Sequence, residues 1–257
     1  MTYCVGLQLN RGLVFMADTR TNAGVDNVSV YRKLFTWEVP GERAMVLMTA
    51  GNLATTQAVV SLLDERNLAP SERKPSLLTV PSMFQAAKLV GDTVREVIGD
   101  RAKGRDKATT AFNATMILGG QVADSPPRLY LIYSEGNFIE AQSDTPFFQI
   151  GETKYGRPIL VRAYEPDMTV AEAVKLLMVS FDSTIRANLS VGTPLDLQVL
   201  DADALRMGYS RRVEDSDSDW RAISDGWSAA LRTAFHSLPD VTVPGEDDAP
   251  TPLRRGA

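Results

Sequence analysis

The order of elements along the chain predicts an α+β protein in which antiparallel sheets alternate with helical layers. Two observations carry this. Short β-like runs are joined by tight turns, which is how antiparallel sheets are written, and each set of runs is followed by a pair of helical stretches. A third bounds the size: 257 residues with 44% apolar and 23% charged side chains suit an ordinary globular protein with one large domain or two small ones.

Val5, Leu7 and Leu9 alternate with Gly6 and Gln8, Asn10-Arg11-Gly12 forms a turn, and Leu13 to Ala17 returns as a second strand, so the chain opens with a β-hairpin ending at Asp18. Thr21 to Asn27 is polar and reads as a loop. Val28 to Tyr31 is a short extended piece that delivers Arg32-Lys33. Lys33 to Val39 and Ala44 to Thr49 form another hairpin around Pro40-Gly41.

Asn52 caps a helix carrying Leu53, Val59, Val60, Leu62 and Leu63 up to about Asp64. A polar stretch with Pro70 and Pro75 follows. A second helix places Met83, Ala87, Val90, Val94 and Val97 on one face and Lys88, Asp92 and Arg95 largely on the other. The basic cluster Arg101, Lys103, Arg105 and Lys107 has no interleaved aromatics and reads as a solvated helix end.

Phe112 to Leu118, Arg128 to Tyr133, Phe138 to Ala141 and Phe147 to Ile150 are four further strands, punctuated by Gly119-Gly120, Pro126-Pro127, Glu135-Gly136-Asn137 and Pro146. Gly151-Glu152-Thr153 reads as a helix start with an acid near the positive dipole end. Thr169 and Glu172 have the spacing of a capping box before Val170, Val174, Leu177, Phe181 and Ile185. Leu195 to Leu200 alternates as a closing strand. Trp220, Ile223, Trp227, Leu231 and Phe235 mark a last helix, apolar enough to dock on the domain or on a neighbouring subunit. The domain is expected over residues 1–238. Residues 239–257, with four prolines and Glu246-Asp247-Asp248, have the composition of a disordered tail.

Composition narrows the function classes. With 27 basic against 32 acidic residues the net charge is −5, which gives no general attraction to nucleic acid. The single cysteine, Cys4, cannot form an intramolecular disulfide and reads as a small apolar strand residue. The first residues lack the basic patch and apolar run of a signal peptide, and no apolar stretch is long enough to span a membrane, so the cytoplasm is the expected location. No P-loop and no metal-ligand cluster occurs, so no cofactor or metal is expected, and any substrate unfolding would fall to a separate ATPase or adaptor. The single histidine, His236, sits at the end of that last helical segment and joins no Ser-His-Asp arrangement unless the segment folds back to the site.

Thr2 is the chemically suggestive residue. Initiator methionine is normally removable before a residue as small as threonine. The product would carry a hydroxyl nucleophile and its own base, an α-amine with an intrinsic pKa of about 7.7–8.0. Thr2, Gly6, Ala17-Asp18-Thr19-Arg20 and Lys33 together resemble the start of a proteasome β-type subunit. Thr-Tyr-Cys-Val-Gly at 2–6, Gly151 to Leu160 and Ser180 to Arg186 most resemble the bacterial ancestral β-subunit (Anbu) proteins, with the likeness covering roughly residues 1–205.

The resemblance implies a four-layer αββα sandwich, the Ntn-hydrolase fold, and an N-terminal threonine hydrolase of peptide or amide bonds. It implies Thr2 as nucleophile, Lys33 lowering the hydroxyl's pKa or relaying its proton, Asp18 holding Lys33, and the Gly51 N–H as oxyanion donor. Glu152 or Thr153 stands where the family places a serine. Ser190 matches a supporting serine but lacks the aspartate three residues before it, and Asp182, two helical turns earlier, is either a further supporting residue or merely structural. Self-association into a closed ring or an open helical homo-oligomer is also implied. Two alternatives remain at this stage: a self-assembling scaffold with little or no turnover, and a small-substrate Ntn amidohydrolase.

Overall fold

Alternation along the strands sorts their side chains among three apolar layers. In β1 (Tyr3–Leu9) and β2 (Gly12–Asp18), Tyr3, Val5, Leu7, Val14 and Met16 face one layer, whereas Cys4, Leu13, Phe15 and Ala17 face another. In β6 (Arg43–Gly51), Met45 and Leu47 face a third layer, while Ala44, Val46, Met48 and Ala50 join Phe15 and Ala17 in the central one. A computed structural model describes residues 1–22, 28–68, 75–102 and 112–242 of this arrangement.

The first sheet has the order β10-β1-β2-β11-β12, adding β10 (Phe147–Gly151), β11 (Leu195–Asp201) and β12 (Ser210–Val213). The second runs β5-β6-β7-β8-β9, with β5 (Leu34–Val39), β7 (Ala114–Val122), β8 (Arg128–Ile132) and β9 (Phe138–Glu140). All pairings are antiparallel. The central layer is built from both sheets, so they pack face to face.

Helices α1 (Leu53–Leu68) and α2 (Met83–Ala102) cover the second sheet through Val59, Leu63, Val90 and Val94 against Leu47 and Met116. Helices α3 (Arg157–Ala163), α4 (Val170–Ala187) and α5 (Ser218–His236) cover the first through Leu160, Leu177, Phe181 and Trp220. The result is the αββα sandwich. Asn52 Oδ1 accepts from Thr55 N–H at the start of α1, and Thr169 and Glu172 close their capping box on α4. Among the described residues no helix is long and apolar enough to cross a membrane.

Four local readings change. Thr21 is not loop: β3 (Arg20–Asn22) pairs with β4 (Val28–Val30), and the rest of that expected loop, 23–27, lies outside the described residues. Gly119-Gly120 does not end a strand but lies inside β7, opposite Val46 and Met45. A Cβ on Gly119 would lie 2.6 Å from the Phe15 ring, and one on Gly120 2.4 Å from the Ala44 carbonyl, so these glycines serve the close approach of neighbours rather than a turn. No helix starts at Gly151. That residue pairs with Tyr3 as the end of β10, and α3 begins only at Arg157, where Pro158 suits the first turn. Strand β12 was not foreseen because Arg211 and Arg212 interrupt its apolar pattern. The basic cluster from Lys103 and the tail from residue 243 onward lie outside the described residues.

Candidate active site

β1 is hydrogen-bonded on both sides, to β10 and to β2, and this fixes the residue that precedes it. Thr2 C=O accepts from Glu152 N–H at 2.6 Å. Tyr3 N–H donates to Asp18 Oδ1 at 2.9 Å. Gly151 makes the first contact feasible: its φ is +83°, and a Cβ there would sit 2.0 Å from the Thr2 carbonyl oxygen.

Asp18 ends β2 and is fully buried. Its Oδ1 also accepts from Lys33 Nζ at 2.7 Å, and Lys33, 4% exposed, donates in addition to Arg20 C=O at 2.6 Å. Lys33 C=O accepts from Thr49 N–H at 2.9 Å, which ties the lysine to β6. β6 then carries the chain to Gly51. Thr2, Lys33 and Gly51 therefore line one cavity of about 410 Å³, together with Thr21, Thr49 and Leu53.

Charge in this site is set by burial and by the lysine. Burial raises the Asp18 pKa, and Lys33 together with the Tyr3 N–H opposes that rise. The amine of Met1 is lowered below its ordinary value, first by burial and then by the Lys33 charge. Beneath the site, burial pushes the Tyr3 phenol up to about 12. Its oxygen lies 2.7 Å from Ser180 Oγ and accepts from Gln149 Nε2 at 2.8 Å, while Ser180 Oγ donates to Gly156 C=O at 3.0 Å. This buried chain pins the turn between β10 and α3 to the residue next to Thr2.

The remaining candidates are distributed unevenly. Glu152 is 7% exposed and anchored to Thr2 through its backbone, whereas Thr153 is exposed on the same turn. Ser190 is half-buried, and its N–H donates to Asn188 Oδ1 at 3.0 Å. Asp182 belongs to the seam between α4 and α5, where it accepts from Arg186 Nε and from Ser224 Oγ at 2.6 Å. Sequence reasoning did not single out Asn188. Its Nδ2 donates to Glu152 Oε2 at 3.1 Å and lies 3.2 Å from the Met1 sulfur. Only its place just after α4 distinguished it. Thr21 was missed because its strand was read as loop. Among the described residues no cluster of His, Cys, Asp and Glu is placed to hold a metal.

A threonine and a buried, carboxylate-anchored lysine that line one cavity are an arrangement suited to nucleophilic attack once a base is supplied. Comparison with known proteins finds likeness to proteasome-type subunits. A family model described as proteasome subunit matches residues 101–200. Proteasome subunit beta 2 of Nitrosopumilus maritimus is 23% identical over 210 residues, covering 80% of this chain and 89% of that one. The Gly-1 mutant of Anbu from Hyphomicrobium sp. strain MC1 superposes with a TM-score of 0.88 at 50% identity, over 95% of this chain and 100% of that one. The Anbu subunit solved as a helical assembly from Pseudomonas aeruginosa gives 0.85 at 47% identity, over 93% and 98%.

Proposed function

Because the chain belongs to the Anbu family of proteasome-type β-subunits, we propose that it is an N-terminal threonine hydrolase of peptide or amide bonds that acts after Met1 is removed. The observation that carries this reading is the line of hydrogen bonds from Tyr3 N–H through Asp18 to Lys33, beside a cavity that Thr2 itself lines. In this mechanism Thr2 Oγ attacks the substrate carbonyl carbon while the freed Thr2 amine takes the hydroxyl proton. The Gly51 N–H receives the developing oxyanion, and Lys33, held by Asp18, favours the charged oxygen. The amine then returns the proton to the departing nitrogen, leaving an ester on Thr2. Water, deprotonated by the same amine, hydrolyses that ester. No metal or cofactor enters the mechanism.

Self-association is part of the proposal. It is supported by the helical assembly named for the Pseudomonas relative and by the exposed Leu231 and Phe235 in α5 and Leu238 just after it. The cytoplasm is the proposed site of action. The test is covalent labelling by an electrophile that traps N-terminal threonine, on protein whose intact mass starts at Thr2. Wild type should be labelled at Thr2 and Thr2→Ala should not. Labelling that survives in processed, assembled Thr2→Ala would transfer the role to another nucleophile. Quantitative retention of Met1 in active protein would remove the mechanism.

A further inference from the structure

We propose that Glu152, oriented by Asn188, is the counter-ion that positions the Thr2 α-amine once Met1 has left. The purpose of this role rests on the hydrolase reading, but its measurement does not. Glu152 is a buried carboxylate that the mechanism above leaves unused. Its Oε1 accepts from Lys154 N–H at 2.8 Å and its Oε2 from Asn188 Nδ2 at 3.1 Å, and among the described residues it forms no ion pair. A buried carboxylate with two neutral donors retains acceptor capacity that a cation can fill.

Processing creates that cation in the right neighbourhood. Glu152 N–H is bound to Thr2 C=O at 2.6 Å, so carboxylate and amine belong to two residues clamped together. Asn188 Nδ2 lies against both the Glu152 carboxylate and the Met1 sulfur, so the space the Met1 side chain vacates borders the residue that holds Glu152. The neighbouring acid, Asp18, already has its cation in Lys33. Charges then pair as Asp18 with Lys33 and Glu152 with the Thr2 ammonium. The nearby Arg20 guanidinium is turned to Leu189 C=O instead, and the Lys154 side chain is exposed.

The pairing has a sign. At the chain's present N-terminus Lys33 disfavours the ammonium form and Asp18 favours it. In the proposal Glu152 adds to the Asp18 side, so the amine is acted on in opposite directions by Lys33 and by the two carboxylates. Glu152→Gln should lower the pKa of the Thr2 amine by about 0.5–1 unit, a three- to tenfold change in its ionisation constant. Lys33→Met should raise it. Asn188→Ala, which keeps the charge and removes one of its holders, should shift it less than Glu152→Gln.

The experiment is the pH dependence of acetylation of the Thr2 amine by acetic anhydride, followed by mass spectrometry. The protein begins at Thr2 through native processing or through cleavage of a fusion directly before Thr2, and the fold of each variant is checked by thermal melting. An amine pKa in Glu152→Gln within 0.2 units of wild type, while Lys33→Met still moves it, would overturn the proposal. A shift in Glu152→Gln in protein that no electrophile labels would uphold the counter-ion and remove the hydrolase reading.

Discussion

Replacing Lys33 by methionine separates the structural and chemical content of the site. The Asp18–Lys33 pair is buried, with side-chain exposures of 0% and 6%, and the two groups are 2.7 Å apart. Methionine fills much of the space of the aliphatic stem but leaves a carboxylate in the interior with the Tyr3 N–H as its remaining donor. Removing one partner of a buried pair costs about 3–5 kcal/mol, a large share of the roughly 5–15 kcal/mol that holds a typical protein folded.

The pH dependence follows from the direction of the Asp18 shift. Burial already raises its folded pKa, and Lys33 is the leading influence holding it down. Without Lys33 the folded value rises further above the unfolded one of about 3.9. Between those two values the folded state binds more protons than the unfolded state, so stability falls as pH rises through this window. The deficit of Lys33→Met relative to wild type should therefore be full at pH 8 and shrink as pH is lowered through the raised Asp18 pKa. Lys33→Met combined with Asp18→Asn removes the orphaned charge, keeps an acceptor for the Tyr3 N–H, and should be less destabilised than Lys33→Met alone, with little pH dependence of the difference. Urea unfolding from pH 5 to pH 8 reads all three. A cost for Lys33→Met below about 1 kcal/mol, the range of exposed pairs, or a double variant no more stable than the single one, would refute the reasoning.

Two further outcomes test the frame around Thr2. Gly151→Ala puts a Cβ 2.0 Å from the Thr2 carbonyl oxygen at a φ of +83°, so electrophile labelling of Thr2 should fall by more than tenfold even where circular dichroism shows a folded protein. Phe181→Ala empties the space against the Tyr3 ring, whose centroid is 4.4 Å away. It should cost about 3–5 kcal/mol in urea unfolding, with a cost under 1 kcal/mol showing that this layer repacks freely.

What the sequence determined by itself is local and periodic. Period-two alternation at Val5, Leu7 and Leu9 wrote the first strand, the Thr169 and Glu172 spacing wrote a helix start, and both follow from interactions between residues a few positions apart. Thr2, Asp18, Lys33 and Gly51 were legible through a resemblance concentrated at the start of the chain, and the fold brings three of them to one cavity with Asp18 directly behind the lysine.

Tertiary structure decided whatever depended on partners distant in sequence. Gly119-Gly120 looks like a turn until Phe15 and Ala44 from other strands occupy the missing side-chain space. Gly151 looks like a helix start until Tyr3, nearly 150 positions earlier, takes it as a strand partner. The same long-range pairing gives Glu152 and Thr153 different surroundings, because the residue that follows Gly151 is the one whose N–H meets Thr2, and the next one faces solvent. Asn188 had no sequence signal beyond its place after a helix: its amide acquires meaning only where the end of α4 comes to rest beside residues 1 and 152.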